Sequence, residues 1–585
     1  MLRHRHRRET MPASMPMAFV RTALAVAFLH APAHAASFQV TSTLDAGDAS
    51  PGNGLCADAL GACTLRAAIE EANALAGRDA ISVPSGSYDF GSSALAISEE
   101  VDVAGAGRNA TVLQGSIVFS HGQAASATLS DARLLGSVEP DGAGVHVELT
   151  RVSVQGGVTC YGYCLVRNSE VIDGTGVLVL GSTLGVVEDS QVLRSSGPGI
   201  QIGIGGWSGG FQIRRSLIAY NAGPGVRADE SDGTIEDTRI EENGGPGYFS
   251  NSDGGVTIRR STLRGNQGGG YACSNGYGNY DFIDLFESAI VDNVASTGGG
   301  GVSCLGQVGV PSGIRIFRST ISGNVGATAG GVHATDLTLE DSTLVDNVGG
   351  EVGGLLLQGH VIGPLVHDPV AVLQRSLIAA NDGPGAPDCA AVVGEAGSFT
   401  GADNLIGDGT GCSFASGIAT LVGDATNPID PLLAPLDEVN SATPSHALLP
   451  GSPALDAIPI ATCAAAPPFA TDQLGVSRPQ GGGCDIGAIE VTACRNGGDD
   501  DGDGAVDFPS DVGCRAVTGT KESPQCSDGI DNDGDGGVDW DGGAGATPDP
   551  DCAHKPWRDK ERPDSACGLG AELVALGAWL RRRRR

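Results

Sequence analysis

The sequence predicts an all-β solenoid, and three observations predict it. From about residue 130 to 382 one pattern recurs: a short β-type segment with Ser or Thr, then apolar-x-x-Asn, then a Gly-rich turn and Val, Ile or Tyr. Clear copies are RRSLIAYNAGPGV (214–226), EDTRIEENGGPGY (236–248) and RRSTLRGNQGGGY (259–271). The Asn positions are 221, 243, 266, 293, 324, 347 and 381, with steps of 22, 23, 27, 31, 23 and 34. A basal period near 22–23 with insertions marks a solenoid whose coils each hold three short strands. Second, the apolar stretches are short and alternate, as in IRIF (314–317) and LTLE (337–340), among too many Gly and β-branched residues for helices. Third, 91 Gly and 30 Pro in 585 residues accompany 41% hydrophobic content with 4% aromatics. That is too apolar for disorder, and Gly lacks the every-third period of collagen. A thin coil interior suits Val, Ile and Leu better than aromatic rings.

The elements follow in chain order. Residues 1–35 carry Arg3, Arg5, Arg7, Arg8 and Arg21, then TALAVAFL (22–29) and the small-x-small site Ala33-His34-Ala35. This predicts a secretory signal, with the mature chain starting near Ala36. Residues 36–125 are expected to form the N-terminal cap and first coils. Within them TLRAAIEEANALA (64–76) is the best helix, with Leu65, Ala68, Ile69, Ala72 and Leu75 on one face, Thr64 as N-cap and Gly77 at the stop. Strand-like ISVPSGSYDF (81–90) and LAISEEVDVAG (95–105) follow.

GLCADALGACTLRAAIEEANAL (54–75) resembles the CSLREA-type N-terminal module of exported bacterial β-helix proteins, with Ala67 where that family usually has Glu. LLPGSPALDA (448–457) and DQLGVSRPQGGGCDIGAIE (472–490) resemble the closing segment of the same proteins. The resemblance implies a right-handed parallel β-helix of the pectate-lyase-like kind, with the helix plugging the first coil. Residues 126–491 are then the repeats and the closing segment. In the repeats, each Asn is expected in the αL conformation at a turn, bonded to its neighbours above and below. The stretches 271–281 and 359–371 are expected as outer loops, where solenoids carry function. Tyr271, Tyr277 and Tyr280 of the first are candidates for stacking on sugars.

Residues 492–564 form an Asp-rich module. Residues 494–564 hold 18 Asp plus Glu against 7 Lys plus Arg, with CRNGGDDDGDGAVD (494–507) and CSDGIDNDGDGGVD (526–539) 32 residues apart. Asp499, Asp501, Asp503 and Asp507 take positions 1, 3, 5 and 9 of an EF-hand-like loop with Gly504 at 6. Asp531, Asp533, Asp535, Gly536 and Asp539 repeat this. Alternating carboxylates on a sharply turning loop offer hard oxygens to Ca²⁺. Position 12 is Ser510 or Gly542, so the usual bidentate Glu is missing. The copies resemble thrombospondin type 3-like calcium repeats. Modules of this kind bind with Kd of about 10⁻⁴ to 10⁻³ M, and this one also fits a spacer between solenoid and anchor.

Residues 565–585 place Cys567 and Gly568 before an apolar run to Leu580 and five Arg. The run is too short to span a bilayer. The order resembles the MYXO-CTERM type of bacterial sorting tail. That implies a sorting protease, retention of Cys567 as the processed residue, and membrane contact only through this tail.

Setting Cys567 aside leaves 14 cysteines: Cys56, Cys63, Cys160, Cys164, Cys273, Cys304, Cys389, Cys412, Cys463, Cys484, Cys494, Cys514, Cys526 and Cys552. In an exported chain these read as seven local disulfides, with the connectivity left open. The formal charge of −34 argues against nucleic acid as a partner.

Catalytic chemistry finds little support. The only lysines are 521, 555 and 560, so the coils hold no lysine base, and the Asp pairs, Gly-His-Gly and Arg-Ile-Lys of polygalacturonase-like enzymes are absent. Asp229 with Asp232, or Asp281 with Asp284, are the carboxylate pairs available for acid–base work. His333, His360 and His367 have no partner pattern. The expected function is a cell-surface, non-catalytic adhesin, or a carbohydrate-binding or structural envelope protein. Its partner is then a polysaccharide or another envelope component. The alternative is a secreted polysaccharide lyase or glycoside hydrolase.

Overall fold

The computed structural model describes residues 35–561, apart from 121–125, 143, 181–183, 205–209, 252–253, 275–280, 307–312, 363–364, 393–397, 413, 415–419, 438–442, 464–469 and 544. The chain winds into coils whose strands stack in register with those of the coil above and below. One sheet holds 15 strands, from Ser37–Gln39 to Ser398–Thr400, every neighbour parallel. A second sheet of 26 strands consists of two columns. They are joined where Ser153–Cys160 and Glu170–Leu180 run through both, with a register shift between Gln155 and Gly157. Three faces therefore enclose one thin core.

The alternation read from sequence is the alternation of burial. IRIF buries Ile314 and Ile316 and turns Arg315 outward. Register stacks like on like: Ile213, Ile235, Ile258, Leu285, Ile316, Leu339 and Leu373 form one inner ladder. Ile218, Ile240, Leu263, Ile290, Ile321, Leu344, Ile378 and Ile406 form the second. The third is Val226, Tyr248, Tyr271, Val302, Val332, Leu355 and Cys389. Each such side chain contributes about 1.5–3 kcal/mol by leaving water.

The repeated Asn residues form an internal ladder. From Asn221 to Asn347 each Nδ2 donates to the Oδ1 of the next Asn at 2.9 Å, and Asn381 ends the run on Asp388. The αL conformation expected of the Asn falls instead on the residue before it. Tyr220, Glu242, Gly265, Asp292, Gly323, Asp346 and Ala380 have φ of 55–67°. The preceding residue takes the turn, and the Asn side chain points inward to bond.

A second column sits one turn away. Asp131, Arg151, Asp189, Arg215, Asp237, Arg260, Glu287, Arg318, Asp341 and Arg375 all have φ of 45–54°. Acid and base face each other across coils: Arg151 on Asp131, Arg215 on Asp189, Arg260 on Asp237, Arg318 on Glu287 and Arg375 on Asp341.

The helix Leu65–Ala74 lies on the first coils, against Asp79–Val83 and Leu95–Ile97. Thr64 caps it, its Oγ1 accepting the Ala67 N–H at 3.0 Å. Leu65, Ala68, Ile69 and Ala72 join the core, and Gly77 turns away with φ of 119°.

The closing segment does not sit across the other end. It runs back along the flank, over four successive coils. Gln473 accepts from Thr320 Oγ1 at 2.7 Å, His446 Nε2 meets Ser322 Oγ at 2.8 Å, and the Ala488 N–H donates to Thr343 Oγ1 at 2.9 Å. Leu448, Ala454, Ile458 and Ile486 cover Val345, Leu377, Ala379 and Leu405. Of the two expected loops, 359–371 contains an antiparallel hairpin of His360–Ile362 with Leu365–His367. The other begins as the strand Tyr271–Cys273.

Candidate metal centre and the faces of the solenoid

The cysteines pair with their neighbours in chain order: 56–63, 160–164, 273–304, 389–412, 463–484, 494–514 and 526–552. The last two each close one copy of the Asp-rich module. The module is not held off the solenoid as a spacer would be. Arg495 is buried and donates to the Ser445 carbonyl at 3.0 Å. Ala516 and Val517 share a cavity of about 310 Å³ with Gln473 and the coil residues Asp237, Arg260 and Glu287.

The two Asp loops are built alike. Asp499 accepts the N–H groups of Gly502 and Gly504 at 2.6 and 3.1 Å, and Asp531 accepts those of Gly534 and Gly536 at 2.7 and 3.1 Å. Gly504 and Gly536 have φ of 94° and 93°, a bend L side chains rarely adopt. Asp501 and Asp533 accept from the N–H two residues on. Asp503 and Asp535 do the same.

Around the loops, carboxylate oxygens converge within 4.8 Å at Asp499, Asp501 and Glu522 in the first copy, and at Asp531, Asp533 and Asp535 in the second. Asp507 and Asp539, expected as ligands at position 9, instead bridge the loop ends. Asp507 accepts from Asn496 and Gly497, and Asp539 from Asp528 and Gly529. Sequence reasoning missed Glu522 and Glu561. Glu522 accepts from the Asp500 and Asp507 N–H groups, and Glu561 from those of Asn532 and Asp539. The available signal was a Glu eight or nine residues after the second cysteine of each copy. Burial, then neighbouring carboxylates, pushes Asp501, Asp511, Glu522, Asp539 and Glu561 above the ordinary carboxylate range. Carboxylates that raise one another in this way favour a cation among them.

On the solenoid, three of the carboxylates offered for acid–base work are engaged. Asp284 is held two-pronged by Arg315. Asp232 accepts the Gly255 N–H at 2.7 Å. Asp229 accepts from Arg227, Gln201 and Asn251, while the Arg227 guanidinium lies 5.4 Å from the centre of the Phe249 ring. Asp281 opens the strand Asp281–Phe286. His333 is buried against Gln358 at 2.7 Å, His367 meets Asp336 at 3.0 Å, and His360 pairs with His367 across the hairpin. Tyr271 is a correction to the sugar-stacking expectation. It is fully buried and stacks on Tyr248 with ring centres 5.5 Å apart. Alternation puts it on the inward face of its strand. Tyr277, Tyr280, Cys567 and residues 1–34 lie outside the described residues. Among the described residues no helix is long and apolar enough to cross a membrane.

Residues 117–310 match the family model described as right handed beta helix region. The chain folds as a right-handed parallel β-helix. No curated protein matches it. Solved structures similar to it include the A-module of the mannuronan C-5 epimerase AlgE4 of Azotobacter vinelandii, at 14% identity and TM-score 0.31, covering 67% of this chain and 97% of that one. The pectate lyase Pel9A is 15% identical with TM-score 0.31, over 78% and 97% of the two chains. A PL6 family alginate lyase, AlyGC, is 11% identical with TM-score 0.32, over 63% and 52%.

Proposed function

We propose that this protein is an exported, surface-tethered β-helix that binds a polysaccharide or another cell-envelope component without altering it chemically. In this reading 1–35 directs export, and a sorting protease processes the tail at Cys567, the sole membrane attachment. The seven disulfides fit an oxidising compartment. The Asp-rich module holds structural Ca²⁺ on the acceptor-only oxygens of Asp499, Asp501, Asp503, Asp531, Asp533 and Asp535. Asp507 and Asp539 shape those loops.

The observation that carries the reading is the outer face around Asp229. Gln201, Arg227, Phe249 and Asn251 are half-buried, mutually fixed, and offer amide and guanidinium donors beside an aromatic ring. Such a surface suits sugar hydroxyls. Its carboxylate already accepts from three neighbours, which leaves it poorly placed to take a substrate proton.

A glycan array on the purified chain, run beside a reducing-sugar release assay, tests this. Binding without release is expected, with loss of binding in Phe249→Ala and Arg227→Ala. Release that disappears when one carboxylate is changed would establish the enzyme instead.

A further inference from the structure

The two halves of the Asp-rich module are copies beyond their loops. In each, an Asp stands three residues before the second cysteine: Asp511 before Cys514 and Asp549 before Cys552. Glu522 and Glu561 follow those cysteines. All four acids are buried, at most 2% exposed. Asp511 Oδ1 accepts from Gly513 and Asp549 Oδ1 from Asp551, each at 2.6 Å. The other oxygen of each, Asp511 Oδ2 and Asp549 Oδ2, is buried with no hydrogen-bond partner. Asp511 and Glu522 bring carboxylate oxygens within 4.8 Å of one another, and so do Asp549 and Glu561. The sulfur beside each pair belongs to a disulfide and is not a thiolate ligand. Glu522 also reaches within 4.8 Å of Asp499 and Asp501.

Two buried acids facing each other, one with an unanswered oxygen, are costly unless a cation lies between them. A protein cation at that place would be a Lys or Arg. A metal site would instead repeat with the duplicated loop, as this arrangement does. We propose that Asp511 with Glu522, and Asp549 with Glu561, complete one divalent-cation site per copy. They supply the carboxylates that position 12 lacks at Ser510 and Gly542. Hard oxygens at this density fit Ca²⁺. Each site then joins three stretches of chain: the loop, the Asp beside the disulfide and the distal Glu. Metal binding therefore orders the whole copy and not the loop alone. The inference rests on the Ca²⁺ reading of the loops.

Calorimetry of the full chain, stripped by chelator and titrated with CaCl₂, tests it. Wild type is expected to bind two ions. Glu522→Gln and Asp511→Asn should each weaken one ion at least tenfold and leave the other unchanged, and Glu561→Gln and Asp549→Asn should do the same for the second ion. Peptide mapping of the 494–514 and 526–552 disulfides verifies that each variant is folded, and the near-isosteric Asp→Asn changes stand in where a Glu variant is not. Variants that bind two ions with wild-type affinity, or a wild type that binds four, would overturn this ligand set while keeping Ca²⁺ on the loops. No binding by wild type would overturn the Ca²⁺ reading itself.

Discussion

The coils and the Asp-rich module both repeat a short unit, yet they satisfy their polar groups in opposite ways. In the coils, the partner of each laddered Asn is its own copy one coil away. Asn293 donates to Asn324, Asn324 to Asn347, and the last Asn381 to Asp388. In the module the copies do not stack on one another, and each retains a buried oxygen without a donor, at Asp511 and at Asp549. Repetition by stacking makes a fold that is complete in itself. Repetition side by side makes one that leaves room for a ligand. The two regions should therefore break under different treatments.

The coils should break by losing one rung. Asn324→Ala removes the acceptor for the Asn293 N–H and Nδ2, and the donor to the Ile290 carbonyl and Asn347 Oδ1. Buried groups stranded in this way cost about 1–3 kcal/mol each before relaxation, so a net loss of about 3–5 kcal/mol is expected. Because each coil touches only its neighbours, the damage should stay local. Native-state hydrogen exchange should show protection falling around 290–350 and holding near 100–170. Uniform loss would mean the stack is one cooperative unit.

The module should break by losing its ion. If Ca²⁺ occupies it at about a hundred times Kd, removal costs about 2.7 kcal/mol per site. Chelation should open 494–561 to proteolysis and leave the coils uncut. Equal resistance with and without chelator would mean the disulfides alone hold the module.

The coil architecture was legible in the sequence because each coil carries its own signal: the Asn at a period near 22–23, the alternation in IRIF, the Gly-containing turn that follows each Asn. Seven local disulfides were legible from an even set of close neighbours, while their connectivity was not. What was not legible depends on contacts between distant stretches. Glu522 lies 23 residues beyond Asp499, and Glu561 lies 30 beyond Asp531, too far for a loop motif to include them. Tyr271 belongs to the core through the register of its strand with Val302, which a reading of the following Tyr-rich stretch as one loop obscured. The flank position of the closing segment is written only in pairs such as Ser322 with His446, 124 residues apart.

That flank contact supplies a pH test of the seam between the coils and their closing segment. Burial holds His446 below its ordinary value; Asp346, Asp292 and Arg495 are the charged groups that act on it. The neutral ring donates from Nδ1 to the Ala434 carbonyl and accepts the Ser322 hydroxyl at Nε2. Below about pH 6.5 the released segment takes a proton that the docked ring refuses, so His446 makes docking weaker as pH falls. Glu490 acts in the opposite sense. Burial raises it to about 7, so between about pH 4.5 and 7 the docked state keeps a proton the released one has lost, and docking weakens as pH rises. Asp472 and Asp485, also raised by burial, add to Glu490. In His446→Gln the acidic set should dominate. Protection over 431–490, taken relative to the intrinsic exchange rate at each pH, should then be greater at pH 5 than at pH 7.5, by an equivalent of on the order of 1–3 kcal/mol. The opposite order would mean these carboxyls are not what holds the seam.

The smallest effect concerns the charged αL column, where two causes compete. Arg151 has φ of 54° and is exposed, and it pairs with the half-buried Asp131. Exposed pairs contribute about 0.2–1 kcal/mol. The αL backbone costs a residue with a Cβ about 1–2 kcal/mol, and a Gly little. Arg151→Ala loses the pair and keeps the strain, so it should destabilise slightly. Arg151→Gly loses the pair but relieves the strain, and urea unfolding should place it at or above wild type. If both variants destabilise equally, the alternating acids and bases contribute more than an exposed pair ordinarily does. The column would then act as a linked network along the coil edge, with register as its purpose, since a slip of one coil would set Asp189 against Asp237 and Arg215 against Arg260.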